Sequence, residues 1–244
     1  MATIPDSLPR PTPTKAAQFH WSWLIYGLLL ALILLVFAFT IFQPITVLPR
    51  ITLAPGYALE SETGHLMTSE DARGQLTLYS FTYTNCEENC PVPGAALSEL
   101  HQQITQHGPT NVPVALITIS LDPERDTAVA RQTYLDQYQQ PNSHVPWHFA
   151  ATDEMRTRVI VGSGFELYYR TRPDTDGDGY QIAYDPHFIL VDGMGIMRAE
   201  YRLTLPDPEI ILRDLHLIAE EVEKSQGAGR LAYEAAHLFM CYPR

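Results

Sequence analysis

Cysteine is scarce in this chain, with three among 244 residues. An odd number cannot pair completely within one chain, and such sparing use excludes a small secreted scaffold held together by disulfides. Cationic side chains are also few, 16 Lys and Arg against 28 Asp and Glu, for a formal net charge of -12. That deficit excludes a general electrostatic grip on nucleic acid, and an anionic membrane surface would not attract most of the chain. No internal repeat is present. What remains is a length sufficient for one domain with a sizeable core plus appendages.

Charge is missing altogether from one stretch. Residues 21 to 42 read WSWLIYGLLLALILLVFAFTIF without an ionisable acid or base. At about 1.5 Å of rise per residue such a helix crosses a hydrocarbon layer of about 30 Å, so the run predicts a transmembrane helix. A cleaved signal peptide would have a shorter apolar core and a small-x-small cleavage site. Arg10 and Lys15 precede the span and Arg50 follows it. The positive-inside bias therefore puts the N-terminus in the cytoplasm and the bulk of the protein outside. The proline-rich opening, residues 1–20, predicts a disordered cytoplasmic tail, and residues 43–56 a linker.

Beyond the linker, strand-like and helix-like stretches alternate. QLTLYSFTY (75–83) is rich in β-branched and aromatic residues and predicts a strand. Residues 93–107 place Leu97, Leu100 and Ile104 on one helical face, stopped by Gly108-Pro109. VPVALITISL (112–121) is a nearly continuous apolar run, as expected of a strand covered on both faces. A helix is predicted over 124–140, a short strand over 147–151, and a helix capped by Asp153 running to about Val161. HFILVDGMGIMRAEYRL (187–203) predicts a hairpin, and 208–224 a final helix with Ile211, Leu215 and Ile218 on one face. This order predicts an α/β layer fold, a thioredoxin-like mixed sheet flanked by helices over residues 57–224, with 225–244 as a C-terminal extension.

Two of the three cysteines stand together in NCEENCP. Cys86 and Cys90 follow a predicted central strand, and Pro91 suits the first turn of a helix, which would put Cys90 at or beside its N-cap. Free amides and the helix dipole favour thiolate there, and thiolates select Cu(I), zinc or cluster iron over hard cations. The spacing lets both sulfurs face one ion, or allows a disulfide. Residue types alone leave copper binding and redox exchange both open.

FTYTNCEENCP, ISLDPERDTAVA and DPHFILVDGMG together resemble the Sco/SenC family, membrane-anchored thioredoxin-like copper chaperones for cytochrome c oxidase assembly. The resemblance covers roughly residues 55 to 222. It implies a copper site of Cys86, Cys90 and a later histidine. His187 is the histidine available near the hairpin, although alignment by the glycine turn puts Tyr184 at that column. Asp122 and Asp126 match an acidic pair supporting the metal site; the alternative for Asp122 is a helix N-cap. The implied function is delivery of Cu(I) or Cu(II) to the CuA site in the copper-binding subunit of a terminal oxidase, at a bacterial plasma membrane or alternatively the mitochondrial inner membrane, without chemical turnover, with another copper chaperone as a further candidate partner. The alternative is a thiol-disulfide reductase keeping the oxidase cysteines reduced, with Cys86 attacking and Cys90 resolving. A peroxidase-like relative is a third reading.

Two further features stand outside that resemblance. DTDGDGYQIAYD (174–185) has the D-x-D-x-D-G skeleton of a calcium loop, with Asp174, Asp176, Asp178 and Asp185 as oxygen ligands; the alternative is a solvated acidic hairpin loop. In the tail, His237, Met240 and Cys241 are soft-metal ligand types, while Leu231, Ala235, Leu238 and Phe239 predict an amphipathic segment that docks on the body or on a partner.

Overall fold

The computed structural model describes residues 21–42, 46–86, 90–173, 179–204, 207–225 and 227–239. The chain divides into two units, Met1–Pro44 and Ile45–Arg244. The first contains helix α1, Trp21–Phe42, with Leu28, Ile33 and Phe37 among its exposed side chains. Over the residues with described side chains, no helix is long and apolar enough to cross a membrane. The α1 backbone itself is helical for 22 residues and carries no acidic or basic group.

The second unit is built on a mixed sheet. Its strands are β1 (Thr52–Leu53), β4 (Leu76–Thr82), β5 (Val114–Ser120), β6 (Trp147–Ala150), β9 (Phe188–Val191) and β10 (Ile196–Tyr201), in the order β1-β10-β9-β4-β5-β6. β4, β5 and β6 run parallel, and β9 and β10 return antiparallel. Every residue of β4 and β5 is buried, which is why both read as nearly continuous apolar runs without alternation. The helices are α2 (Gly94–His107), α3 (Ala128–Tyr138), α4 (Glu154–Thr157), α5 (Pro208–Lys224) and α6 (Ala228–Phe239). α2 packs against α3 and α5. Parallel strands joined through helices, closed by a hairpin and a last helix, make the mixed thioredoxin-like sheet expected from the element order.

Several local expectations shift. α3 begins at Ala128 because the Thr127 hydroxyl accepts from the Ala130 amide at 3.2 Å, so Asp122 is not its N-cap. Asp153 does cap α4, accepting from Arg156 N at 2.9 Å, but the helix widens into a π turn over Arg158–Gly164. The hairpin β2 (Ala58–Glu60) with β3 (Leu66–Thr68) has no counterpart among the predicted elements, whereas β7 (Tyr169–Pro173) with β8 (Tyr180–Tyr184) is the hairpin given as the alternative to a calcium loop. β7 and β8 flank the acidic loop, where a calcium-binding EF-hand requires helices. Asp174, Asp176 and Asp178 lie outside the described residues, and Asp185 is exposed after β8.

The tail docks through a different face from the one its leucines suggest. Tyr233 and Ala236 of α6 are buried with Val47, whereas Leu231 and Leu238 are exposed. Arg198, buried on β10, donates to the carbonyls of Leu48 (2.8 Å) and Pro49 (3.1 Å) and pairs with Asp192 (3.0 Å) and Glu221 (2.6 Å). Glu221 also meets His237 at 2.8 Å and Arg50 at 3.3 Å. Burial opposes the Glu221 charge, but the His237 hydrogen bond and the Arg198 cation outweigh it and hold the carboxyl down at about 2. Met240 and Cys241 lie outside the described residues.

Candidate redox and metal site

The site grows out of the C-terminal end of β4. After Thr82 the chain runs through Tyr83, Thr84 and Asn85 to Cys86, and Cys90 follows residues outside the described set. Cys86 and Cys90 are joined by a disulfide with their Cα atoms 5.4 Å apart. Cys90 is not a helix N-cap: α2 starts at Gly94, with Pro93 in the cap position at φ -64°, ψ 142°. The reason is local. Pro91 and Pro93 each push the residue before them, Cys90 and Val92, out of the helical region. The pair therefore sits in an extended Pro-Val-Pro approach, short of the helix end.

One hydroxyl and one carbonyl face the Cys90 sulfur. It lies 3.8 Å from Thr82 Oγ1 and 3.4 Å from the Val92 carbonyl oxygen. Tyr184 donates its buried hydroxyl to Thr82 Oγ1 at 3.0 Å, and burial pushes its ionisation up, which keeps it neutral. Thus Tyr184, which the glycine-turn alignment puts at the ligand column, stands behind Cys90 through Thr82.

The structure does not bring His187 to the sulfurs. β9 pairs with β4 in the register Tyr79↔Ile189 and Ser80↔Phe188, so His187 comes next to Phe81, and the two rings lie 6.1 Å apart. Adjacent strand residues face opposite sides; Phe81 and His187 occupy one face, while Thr82 and Cys90 meet on the other. His187 Nε2 lies 3.6 Å from Glu200, and burial lowers the imidazole pKa, only partly offset by that carboxylate. Among the described residues, no group of three or more His, Cys, Asp or Glu side chains comes together as a metal site.

The acidic pair divides its work. Asp126 accepts from Ser120 Oγ (2.5 Å), Thr84 Oγ1 (2.6 Å) and Thr84 N (2.9 Å), which fixes the chain two residues before Cys86. Burial nonetheless raises its pKa. Asp122 pairs with Arg125 and accepts from the Tyr180 hydroxyl at 2.9 Å, while the Arg125 guanidinium stacks 3.9 Å from the centre of the Tyr180 ring. Asp122 thereby ties the β7–β8 hairpin to the end of β5. Sequence reasoning missed Thr82 and Thr84; the available signal was the run of hydroxyls, Ser80, Thr82 and Thr84, interrupting an apolar strand just ahead of the cysteines.

Comparison with known proteins gives the family and the fold. The SCO1/SenC family profile matches residues 48–220. The chain is 21% identical over 162 residues to a SCO2-like protein of Rickettsia felis, covering 66% of this chain and 75% of that one. It is 28% identical over 93 residues to the SCO1 protein homolog of Bacillus subtilis, covering 38% and 46%. Among solved structures it resembles copper-bound ScoI of Bradyrhizobium japonicum, with a TM-score of 0.55 and 25% identity over 67% of this chain and 98% of that one. Copper-bound yeast Sco1 shares the fold, with a TM-score of 0.57 and 19% identity over 78% and 99%. With the family profile spanning most of its second unit, the chain belongs to the SCO1/SenC family.

Proposed function

We propose that this protein is a membrane-tethered copper metallochaperone. Once the disulfide is reduced, Cys86 and Cys90 hold Cu(I) between two thiolates and pass it by ligand exchange to the CuA site of a terminal oxidase. The carrying observation is the convergence of the two sulfurs, whose Cα atoms are 5.4 Å apart; soft thiolates favour monovalent copper over hard cations. His187 is left out of the ligand set because it faces the other side of the sheet. Kinship with a structure described as copper-bound ScoI supports the reading. In it, α1 is the anchor: 22 residues at about 1.5 Å each match a hydrocarbon core of about 30 Å, and Arg10 and Lys15 keep the N-terminus cytoplasmic.

The test is Cu(I) titration of the reduced full chain in detergent. Wild type and His187→Ala are expected to retain copper equally, and Cys86→Ser and Cys90→Ser to lose it. Retention in both cysteine variants would overturn the proposal. A second reading, thiol-disulfide reductase, is favoured by the closed Cys86–Cys90 bond and by the hydroxyl environment of Cys90, which serves a thiol pair without any metal.

A further inference from the structure

The hydroxyl of Thr82, the last residue of β4, has one proton and two acceptors within reach. The Val92 carbonyl oxygen lies 3.5 Å from Thr82 Oγ1 and the Cys90 sulfur 3.8 Å. The Tyr184 hydroxyl donates to the same Thr82 oxygen at 3.0 Å. A hydroxyl carries one proton and two lone pairs, so with one lone pair taken by Tyr184 the Thr82 proton points to the carbonyl or to the sulfur. Thr82 and Tyr184 are buried and Cys90 is half-buried. While the Cys86–Cys90 bond is closed, the Cys90 sulfur has no proton and is a weak acceptor. Its 3.4 Å approach to the Val92 oxygen is then a contact without a hydrogen bond, and the carbonyl is the better partner for Thr82. Opening the bond reverses that order. A Cys90 thiolate is a charged acceptor and draws the stronger bond, while a Cys90 thiol donates its own proton to the Val92 oxygen and so frees Thr82. In either form the Thr82 hydroxyl reaches the sulfur by rotating its proton, with no heavy atom displaced.

We propose that Thr82 is a positioning residue for the Cys86–Cys90 couple: its hydroxyl turns from the Val92 carbonyl to the Cys90 sulfur when the disulfide opens, and the hydrogen bond so gained favours the reduced pair. The proposal rests on the reading above in which the disulfide is reduced before the sulfurs hold copper. Tyr184 acts through Thr82. By donating to the Thr82 oxygen it polarises the remaining O–H, which strengthens donation to the sulfur. Thr82 ends β4 and Tyr184 ends β8, so two strand ends hold the relay behind Cys90. Reduction by a small dithiol proceeds in two displacements. One reagent thiolate attacks the Cys86 sulfur, the Cys86–Cys90 bond breaks and Cys90 leaves as a thiolate. The second reagent thiolate then displaces Cys86, also as a thiolate, and the reagent closes to its own disulfide. Two electrons pass to the protein, and Thr82 stabilises the sulfur that leaves first.

The test equilibrates the full chain in detergent with graded ratios of reduced and oxidised dithiothreitol at one pH, then reads the fraction reduced by acid quench, thiol alkylation and intact mass. Thr82→Val keeps the side-chain shape and removes the hydroxyl. It is expected to lower the equilibrium constant for reduction about tenfold, or about 30 mV in potential. The Tyr184 hydroxyl that this variant strands is stranded in both redox forms, so its cost cancels in the constant. Thr82→Ser, which restores a hydroxyl, should return the constant to within about twofold of wild type, and Tyr184→Phe should lower it about threefold. An unaltered constant in Thr82→Val, an equal loss in Thr82→Ser, or a larger loss in Tyr184→Phe than in Thr82→Val overturns the proposal and leaves the copper reading standing. A wild-type bond that stays closed at every ratio overturns the copper reading and the proposal with it.

Discussion

Individual side chains decide which sequence expectations carry over to the site. His187 was the one histidine near the right hairpin, and only the pairing register, Ser80 opposite Phe188, reveals that it faces away. Its imidazole pKa is lowered chiefly by burial, so between the folded value and the unfolded one of about 6.5 the unfolded chain binds more protons, and stability falls as pH drops. His187→Leu should remove that dependence: its urea midpoint should change less than that of wild type between pH 7 and pH 5. Asp126 has the opposite sign. Its raised pKa means stability is fullest at low pH and declines as pH rises through the folded value. Asp126→Asn loses part of the grip on Ser120 and Thr84, at a cost of about 2 kcal/mol in urea unfolding. It should also speed reduction of the disulfide by a small thiol. Cys86 and Cys90 could be picked out from their polar setting alone, whereas the alternating hydroxyls Ser80, Thr82 and Thr84 are a weaker signal, since threonine is at home in any strand.

Elements with a strong periodic pattern were legible almost to the residue. α5 begins at Pro208 as predicted, capped by Asp207, which accepts from Glu209 N at 3.0 Å. β4 and β5 fall within two residues of their apolar runs. The short hairpin β2–β3 escaped notice because strands of three residues offer too few alternations to separate from loop. α3 starts late because a cap is chosen by hydrogen-bond geometry, and Thr127 supplies it. Thr127→Ala should therefore cost about 1 kcal/mol, read as a lower thermal midpoint. The α5–β10–α6 ion cluster has a larger stake. Glu221→Gln leaves the buried Arg198 with a weakened set of partners, and a loss of about 3 kcal/mol is expected. Because the Glu221 pKa is depressed to about 2, its contribution is full above the unfolded carboxyl value of about 4.3 and disappears as pH falls through the folded one. Acid titration should show the variant closest to wild type at the lowest pH.

For the whole molecule, the layer order was readable from the succession of strands and helices, whereas the position of the tail was not: no local pattern says that Tyr233 and Ala236 close over Val47. Deleting residues 226–244 uncovers that cluster and removes from the ion network His237 and Glu234, which pairs with Arg50 at 3.2 Å. A loss of roughly 2 kcal/mol is expected from the exposed apolar surface, or about 4 to 8 °C in thermal midpoint for a chain of this size, with Cu(I) retention unchanged. The cluster lies level with the Thr77 end of β4, since Met197, Val191 and Thr77 are paired in register, and the cysteines follow the Thr82 end, about 16 Å further along the strand. A pull on the incoming chain is then borne by a guanidinium clamp and not by the loop that reacts. The reactive bond can open and close without loosening the hold on residues 48 and 49.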